Sequence, residues 1–190
     1  MFRQAIRCWS LGVLLVLGGC STAPTIDSNY DRSANFAAYR TFGFFSPLGT
    51  DKSGYSTLVT QELKDATRRE MEARGYAYSE SNPDLLLNFN AKLARQVEVS
   101  QVPAGPPMGG YYGYRGGFYG GWGGYYTNVD QYTEGTLNID LVDAARRQLV
   151  WEGVAIGRVT DKHRENREAA INAAVAEIFK KFPFQKGVSQ

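Results

Sequence analysis

Two cysteines, Cys8 and Cys20, and one histidine, His163, are all that the 190-residue chain holds of these two types. Cys8 falls within an N-terminal leader. If Cys20 is consumed by modification, the mature chain has no free thiol, which excludes a disulfide and a thiolate metal site. One histidine also argues against a zinc centre or a His-dependent nucleophile. His163 stands in Asp161-Lys162-His163-Arg164. To act as a ligand or base it would need Asp161 or Glu165, and its charged surroundings read instead as a solvated helix start. No apolar run reaches the about 20 residues of a membrane-spanning helix, and no repeat at solenoid periods is present.

The first twenty residues are organised as an export signal. Met1 to Arg7 carries two arginines and no acid, and Cys8 to Leu17 is apolar except for Ser10 and Gly12. The stretch closes on Leu17-Gly18-Gly19-Cys20. Small residues before the cut fit a peptidase groove, and the cysteine after it supplies a thiol for alkylation. The quartet resembles a bacterial lipobox. That resemblance implies a leader over residues 1–19, a diacylglycerol thioether on Cys20 and a membrane anchor of several acyl chains, each buried CH₂ adding about 0.8 kcal/mol. Ser21, where an Asp would imply inner-membrane retention, implies transfer to the outer membrane. The expected location is therefore the periplasmic face of the outer membrane of a Gram-negative bacterium. Removing Arg3 and Arg7 with the leader leaves 19 basic and 19 acidic residues, so no field steers the chain towards nucleic acid. Residues 20–25 form a short tether, of which the five after Cys20 reach at most about 18 Å.

Residues 26–182 read as one α+β domain, with 183–190 as a tail. Ile26 to Tyr30 and Arg40 to Phe45 read as strands, with a helical turn between them that brings Phe36 and Tyr39 to the core. Tyr55 to Arg74 reads as a helix with Tyr55, Leu58, Val59, Leu63, Ala66 and Met71 on one face and Gly75 as terminator. A short strand is expected near Tyr76 to Tyr78. Over residues 84–99, seven of eight odd positions are apolar and two of eight even ones. This predicts a half-buried antiparallel strand roughly 50 Å long, whose end projects as a hairpin arm. Thr127 to Leu141 is its expected partner, and Asp143 to Arg147 a turn. Gln148 to Val159 is a further strand, apolar on both faces and therefore expected to be interior and covered on each side. Arg164 to Phe182 reads as a second helix stopped by Pro183. The expectation is a largely antiparallel sheet whose strands meet as hairpins, with both helices on one face.

Tyr30-Asp31, Phe36, Tyr39, Thr41-Phe42, Pro83-Asp84-Leu85, Asp143, Leu149-Val150-Trp151 and Gly153 occur in an order that resembles domain-of-unknown-function family 4136, a group of bacterial lipoprotein-type envelope domains. Phe44 stands where a tryptophan is expected. The resemblance implies fold and location and carries over no catalytic residue.

Nothing in the chain calls for a cofactor or metal. Asp84, Glu98, Asp130, Glu134, Asp140 and Glu152 could in principle supply a glycosidase pair, but most sit at the polar positions of strands. Asp84 and Asp143 read as acceptors for backbone amides, Arg146-Arg147 as a polar hairpin tip, and Trp151 as core. Residues 102–126 stand apart. Within them, 108–126 hold nine glycines and eight aromatics: Tyr111, Tyr112, Tyr114, Phe118, Tyr119, Trp122, Tyr125 and Tyr126. Pro103, Pro106 and Pro107 end the preceding strand. Ordering so many glycines costs about 1–2 kcal/mol per residue with no aliphatic burial in return, so the loop is expected to be mobile. Tyr and Trp favour membrane interfaces and stack on sugars. Three readings stay open: an insertion without a ligand, a contact for a protein partner or peptidoglycan, and insertion into the nearby leaflet. Tyr114 to Phe118 is similar to an RNA-binding Arg-Gly-Gly segment, but export removes the RNA. The expected function is a non-enzymatic envelope interaction module that uses this loop. The alternative is a glycan-binding or glycan-processing protein that combines the loop with strand carboxylates.

Overall fold

A computed structural model describes residues 23–103 and 125–185. Cys20 and the loop aromatics Tyr111 to Trp122 lie outside the described residues, and so does the expected mobility of that loop. The chain forms β1 (Thr25–Tyr30), β2 (Thr41–Phe44), α1 (Leu58–Ala73), β3 (Ala77–Tyr78), β4 (Leu85–Pro103), β5 (Tyr125–Asp143), β6 (Gln148–Arg158), α2 (Asp161–Glu165) and α3 (Arg167–Phe179). One six-stranded sheet has the order β1-β6-β5-β4-β2-β3. It is an α+β fold, mostly antiparallel, as expected. However, β2 runs parallel to both β3 and β4. A parallel return needs a long crossover, and α1 supplies it.

The core lies between one face of the sheet and the helices. Leu85, Leu87, Phe89, Ile139, Leu141 and Trp151 are fully buried there against Val175, Ile178 and Phe179. Their alternation along β4 and β5 is the period of two that the sequence displays. Trp151 stacks at 5.4 Å on Phe179 and meets the edge of Phe182 at 5.2 Å, and Phe182 meets Phe36 at 5.4 Å. Each such buried side chain contributes about 1.5–3 kcal/mol.

Four expectations need correction. First, α1 begins at Leu58, where the Thr57 side chain caps Thr60 N–H at 3.1 Å. Gly54 in the left-handed region (φ +82°) and a Lys52–Tyr55 bridge hold the preceding residues in a turn. Tyr55 and Leu58 are consequently exposed. Second, the C-terminal helix starts earlier, at Asp161, and breaks at Asn166 (φ −117°, ψ 53°), and α3 ends at Phe179. Phe182 reaches the core from the turn beyond it. Third, β6 is interior but covered on one face only, and Ile156 on the other face is exposed. Leu141 pairs with Trp151 and Val142 with Leu149, so Val150 is the extra residue of a β-bulge and turns inward. That is why the strand reads as apolar on both faces. Fourth, Val102, Pro103, Tyr125 and Tyr126 belong to the strands by backbone pairing and not to the loop. Pro103 needs no donor as the last residue of its strand.

β4 and β5 pair from Leu85↔Asp143 to Pro103↔Tyr125. β2 flanks only residues 85–87 of β4, and β6 flanks only residues 134–143 of β5. The rest stands as a two-stranded arm about 30 Å long. Leu93 at its base and Val97, Val99 and Val129 along it are 69%, 60%, 61% and 55% exposed, so the hairpin arm expected from strand length is present.

Gly153 lies where a Cβ would come within 2.4 Å of Ile178 Cγ2 and 2.5 Å of Trp151 Cη2. Gly153→Ala is expected to cost about 1–3 kcal/mol in urea unfolding. Gly157→Ala, whose nearest contact would be Pro24 at 3.2 Å, should cost less. Equal midpoints for the two variants would contradict this packing.

Candidate functional site

The carboxylates singled out in the sequence sort into three places. At the end of the sheet remote from the arm they clamp chain segments together. Asp84 Oδ2 accepts hydrogen bonds from Arg40 N (2.7 Å), Thr41 N (2.9 Å) and Thr41 Oγ1 (3.1 Å), while Asp84 N donates to Thr41 Oγ1 (3.0 Å). The Arg40 amide bond leads in holding this carboxyl below its usual range, against a contribution from burial. Asp143, buried at the end of β5, accepts from Arg146 N, Arg146 Nε and Tyr39 Oη, each at 2.8 Å. Arg146 Nη2 also donates to Tyr39 Oη at 3.0 Å. Burial pushes Asp143 up, but the bonds from Arg146 and Tyr39 outweigh it and bring the carboxyl down to about 2. Burial and the Asp143 contact raise Tyr39 in turn. The sequence identifies Asp84 and Asp143 as amide acceptors. It does not reveal Arg146, which reads as part of a polar tip, because its partner Tyr39 lies 107 residues away.

The second place is the sheet face that none of the described helices covers. Asp140 on β5 pairs directly with Asn88 on β4 and with Glu152 on β6. Asn90 Nδ2 donates to Asp140 Oδ2 at 3.3 Å, and Asn138 Nδ2 to Glu152 Oε1 at 3.4 Å. Burial, then the charge of Glu152, raises the Asp140 carboxyl. The loop after β2 reaches this patch, where Gly49 N donates to Asn88 Oδ1 at 3.0 Å. A Cβ on Gly49 would lie 2.4 Å from Asn90 Oδ1. Directly opposed residues have Cβ atoms about 4.5–5.5 Å apart. The patch is therefore a tight carboxylate pair set among amides on an open sheet surface, able to hydrogen-bond a polar ligand.

The third place is the base of the arm. Arg158 pairs with Glu98 and lies 3.5 Å from Asp130 Oδ2. Its guanidinium stacks on Tyr132 at 3.9 Å. Gln96 Nε2 donates to Glu134 Oε1 at 3.2 Å. His163 caps α2: Thr160 N donates to its Nδ1 at 3.4 Å, and His163 N to Thr160 Oγ1 at 3.3 Å. The six strand carboxylates thus do not converge on one point. Among the described residues no three His, Cys, Asp or Glu side chains are grouped to hold a metal, and no helix is long and apolar enough to cross a membrane. A depression of about 240 Å³ between α1 and α3, lined by Glu62, Asp65, Arg69 and Glu168 among others, is smaller than a typical ligand pocket.

The model of a family described as a domain of unknown function, DUF4136, matches residues 26–184. A DUF4136 family protein from Bacteroides thetaiotaomicron is similar at 20% identity, the match covering 86% of this chain and 97% of that one with a TM-score of 0.51. A PDZ domain protein from Parabacteroides distasonis is similar at 13% identity and a TM-score of 0.53, over 85% of this chain. The match covers only 36% of that protein, so the chain spans about a third of its length. A minor lipoprotein from Acinetobacter baumannii is 10% identical over 75% of this chain and 91% of its own, with a TM-score of 0.38. At these identities the first two likenesses are of fold. No curated protein matches the chain.

Asp143→Asn should cost on the order of 2 kcal/mol at pH 7, since a shift from 3.8 to about 2 is worth about 1.36 kcal/mol per pH unit. The folded-state carboxyl is depressed, so this stability is fully present above about pH 4 and is lost as pH falls towards 2. Urea unfolding of both proteins across that range should show the gap closing. Glu152→Gln should lower the titration of Asp140, read by carboxyl NMR, because it removes the opposed charge. It should also stabilise the fold at neutral pH, since a raised Asp carboxyl is a cost present above its folded pKa and relieved below it.

Proposed function

As the chain belongs to the DUF4136 family of domains of unknown function over residues 26–184, we propose its role from its own sequence and geometry: a lipid-anchored, non-catalytic interaction module of the cell envelope. In this reading it is held by acylated Cys20 at the periplasmic face of a Gram-negative outer membrane. It presents the Gly/Tyr-rich loop to peptidoglycan or an envelope protein.

The observation that carries the reading is the arm. A hairpin needed only to connect β4 to β5 could turn near Ala94 and Glu134, where β6 stops, β2 having stopped already at Leu87. The ladder instead runs nine further residues on each strand, with apolar side chains left exposed. An isolated two-stranded ribbon is marginal in water. The fold gains little from it, so its value lies in what it carries or touches. The loop is attached at its far end, between Pro103 and Tyr125.

The glycan-processing alternative draws on Asp140 and Glu152, a carboxylate pair with one member raised. Asp140 is fifteen positions along β5 from Tyr125, about 50 Å in an extended strand. The strands thus hold the pair and the loop's attachment far apart, which favours binding over a combined hydrolytic site.

Mass spectrometry of the chain from bacterial membranes should show a diacylated, leaderless N-terminus at Cys20, and an unmodified thiol there would end the anchor reading. Deleting Pro106 to Tyr125 would remove a paired strand residue, so the clean loop variant replaces residues 104–124 by Asn-Gly. This variant should keep its unfolding midpoint within about 4 °C, the equivalent of about 1 kcal/mol in a domain of this size. It should also lose co-sedimentation with purified peptidoglycan. Released muropeptides would favour the enzyme. If neither variant nor parent sediments, crosslinking in cells from Tyr119 or Trp122 identifies a protein partner instead.

A further inference from the structure

We propose that the exposed apolar stripe of the β4–β5 arm, Leu93, Val97, Val99 and Val129, rests on the surface of the lipid leaflet in which Cys20 is anchored; this deepens the anchor reading above and rests on it. The first ground is where the described chain begins. β1 is antiparallel to β6, and β6 to β5, so β1 runs in the direction of β5. Thr25 pairs with Ile156, which pairs with Thr136, and Tyr30 with Trp151, which pairs with Leu141. The residues before Thr25 therefore leave the sheet at the arm end, where Pro24 lies against Gly157. The described chain thus begins on the arm side of the sheet.

The second ground is length. From the level of Thr136 to Tyr125 the arm extends eleven residues, about 35 Å. The five residues from Cys20 to Thr25 span at most about 18 Å. An arm standing upright on the membrane would overshoot the anchor by about 17 Å, more than the roughly 15 Å of one hydrocarbon leaflet. Upright insertion would also put the free edges of two strands, with unpaired backbone N–H and C=O groups, into lipid that cannot satisfy them. In this proposal the arm leans over and lies along the surface.

Its two faces suit that placement. Successive strand side chains point to opposite sides, so Leu93, Val97, Val99 and Val129 share one face. Glu98, Asp130, Tyr132 and Glu134 share the other, tied to Arg158 and Gln96. The first face mixes these aliphatics with Gln101, Thr127, Gln131 and Thr133 and carries no acid, while the other is charged, an amphipathic division suited to an interface. Arg95, exposed among the apolar residues, can lay its stem along the lipid and raise its guanidinium to the phosphates. At the arm's base Arg164 Nη2 donates to Thr133 Oγ1 at 3.3 Å. This sets the charged α2 beside the arm, at headgroup level.

The test uses the full chain, purified from bacterial membranes with its anchor and reconstituted in phosphatidylethanolamine/phosphatidylglycerol vesicles containing doxyl-labelled lipid. Acylation of Cys20 and loss of Cys8 with the leader leave the parent without a thiol. Single variants Val99→Cys, Val129→Cys and Glu98→Cys, each carrying an environment-sensitive fluorophore, then report one position each. Quenching by doxyl lipid should be about threefold stronger at Val99→Cys and Val129→Cys than at Glu98→Cys, because the strand alternates faces. Equal or absent quenching in a chain that mass spectrometry shows to be acylated overturns the arm proposal and leaves the anchor standing. Probe self-quenching that rises with protein density while doxyl has no effect assigns the stripe to a second copy and also overturns it. An unmodified Cys20 overturns both.

Discussion

β4 and β5 exchange hydrogen bonds along one uninterrupted antiparallel ladder, and the two halves of that ladder face different surroundings. From Leu85 to Phe89 and from Ile139 to Asp143 the odd positions are shut beneath α1 and α3. Further out the same alternation continues, and among the described residues Leu93, Val97, Val99 and Val129 are exposed. Pairing one residue fixes the facing of all the others, since a shift by one position would send every odd side chain to the opposite face. The buried half therefore sets the register of the exposed half. Leu85, Leu87 and Phe89, locked against the helices, are what make Leu93, Val97 and Val99 a stripe and not a scatter.

The other end of the sheet is where the chain is tied most firmly. Asp84 draws the start of β2 onto the start of β4, and Asp143 gathers Arg146 from the β5–β6 turn and Tyr39 from the segment before β2. Most residues carrying the family resemblance sit in these clamps or in the Trp151 cluster beside them. Such residues specify how the chain closes. The resemblance accordingly speaks to fold.

What could be read in the sequence depends on the range of each interaction. Local periodicity suffices for Leu85 to Phe89, Ile139, Leu141 and the stripe of α3, and strand length alone announces the arm. The pattern overextends the first helix because Tyr55 and Leu58 carry helical spacing, while the left-handed turn at Gly54 that excludes Tyr55 depends on backbone conformation. The break at Asn166 leaves the spacing of Ile171, Val175 and Ile178 untouched and so is silent in the pattern. The bulge at Val150 imitates a strand covered on both faces. The parallel pairing of β2 with β4, the Tyr39–Arg146 contact and the opposition of Asp140 to Glu152 are facts of register and topology. No window of local sequence contains both partners of any of them.

The molecule is thereby polarised along its strands. One end is closed by clamps, and the other opens into a ribbon beside the point where the N-terminal segment leaves. β1 runs in the direction of β5, so the described N-terminus lies on the same side of the sheet as the arm. The Gly/Tyr-rich segment follows Pro103 and precedes Tyr125, the last pair of a ribbon whose charged face is braced to β6 through Arg158. The sheet thus fixes where the two ends of that segment are attached, through a ladder that begins in the core and ends outside it.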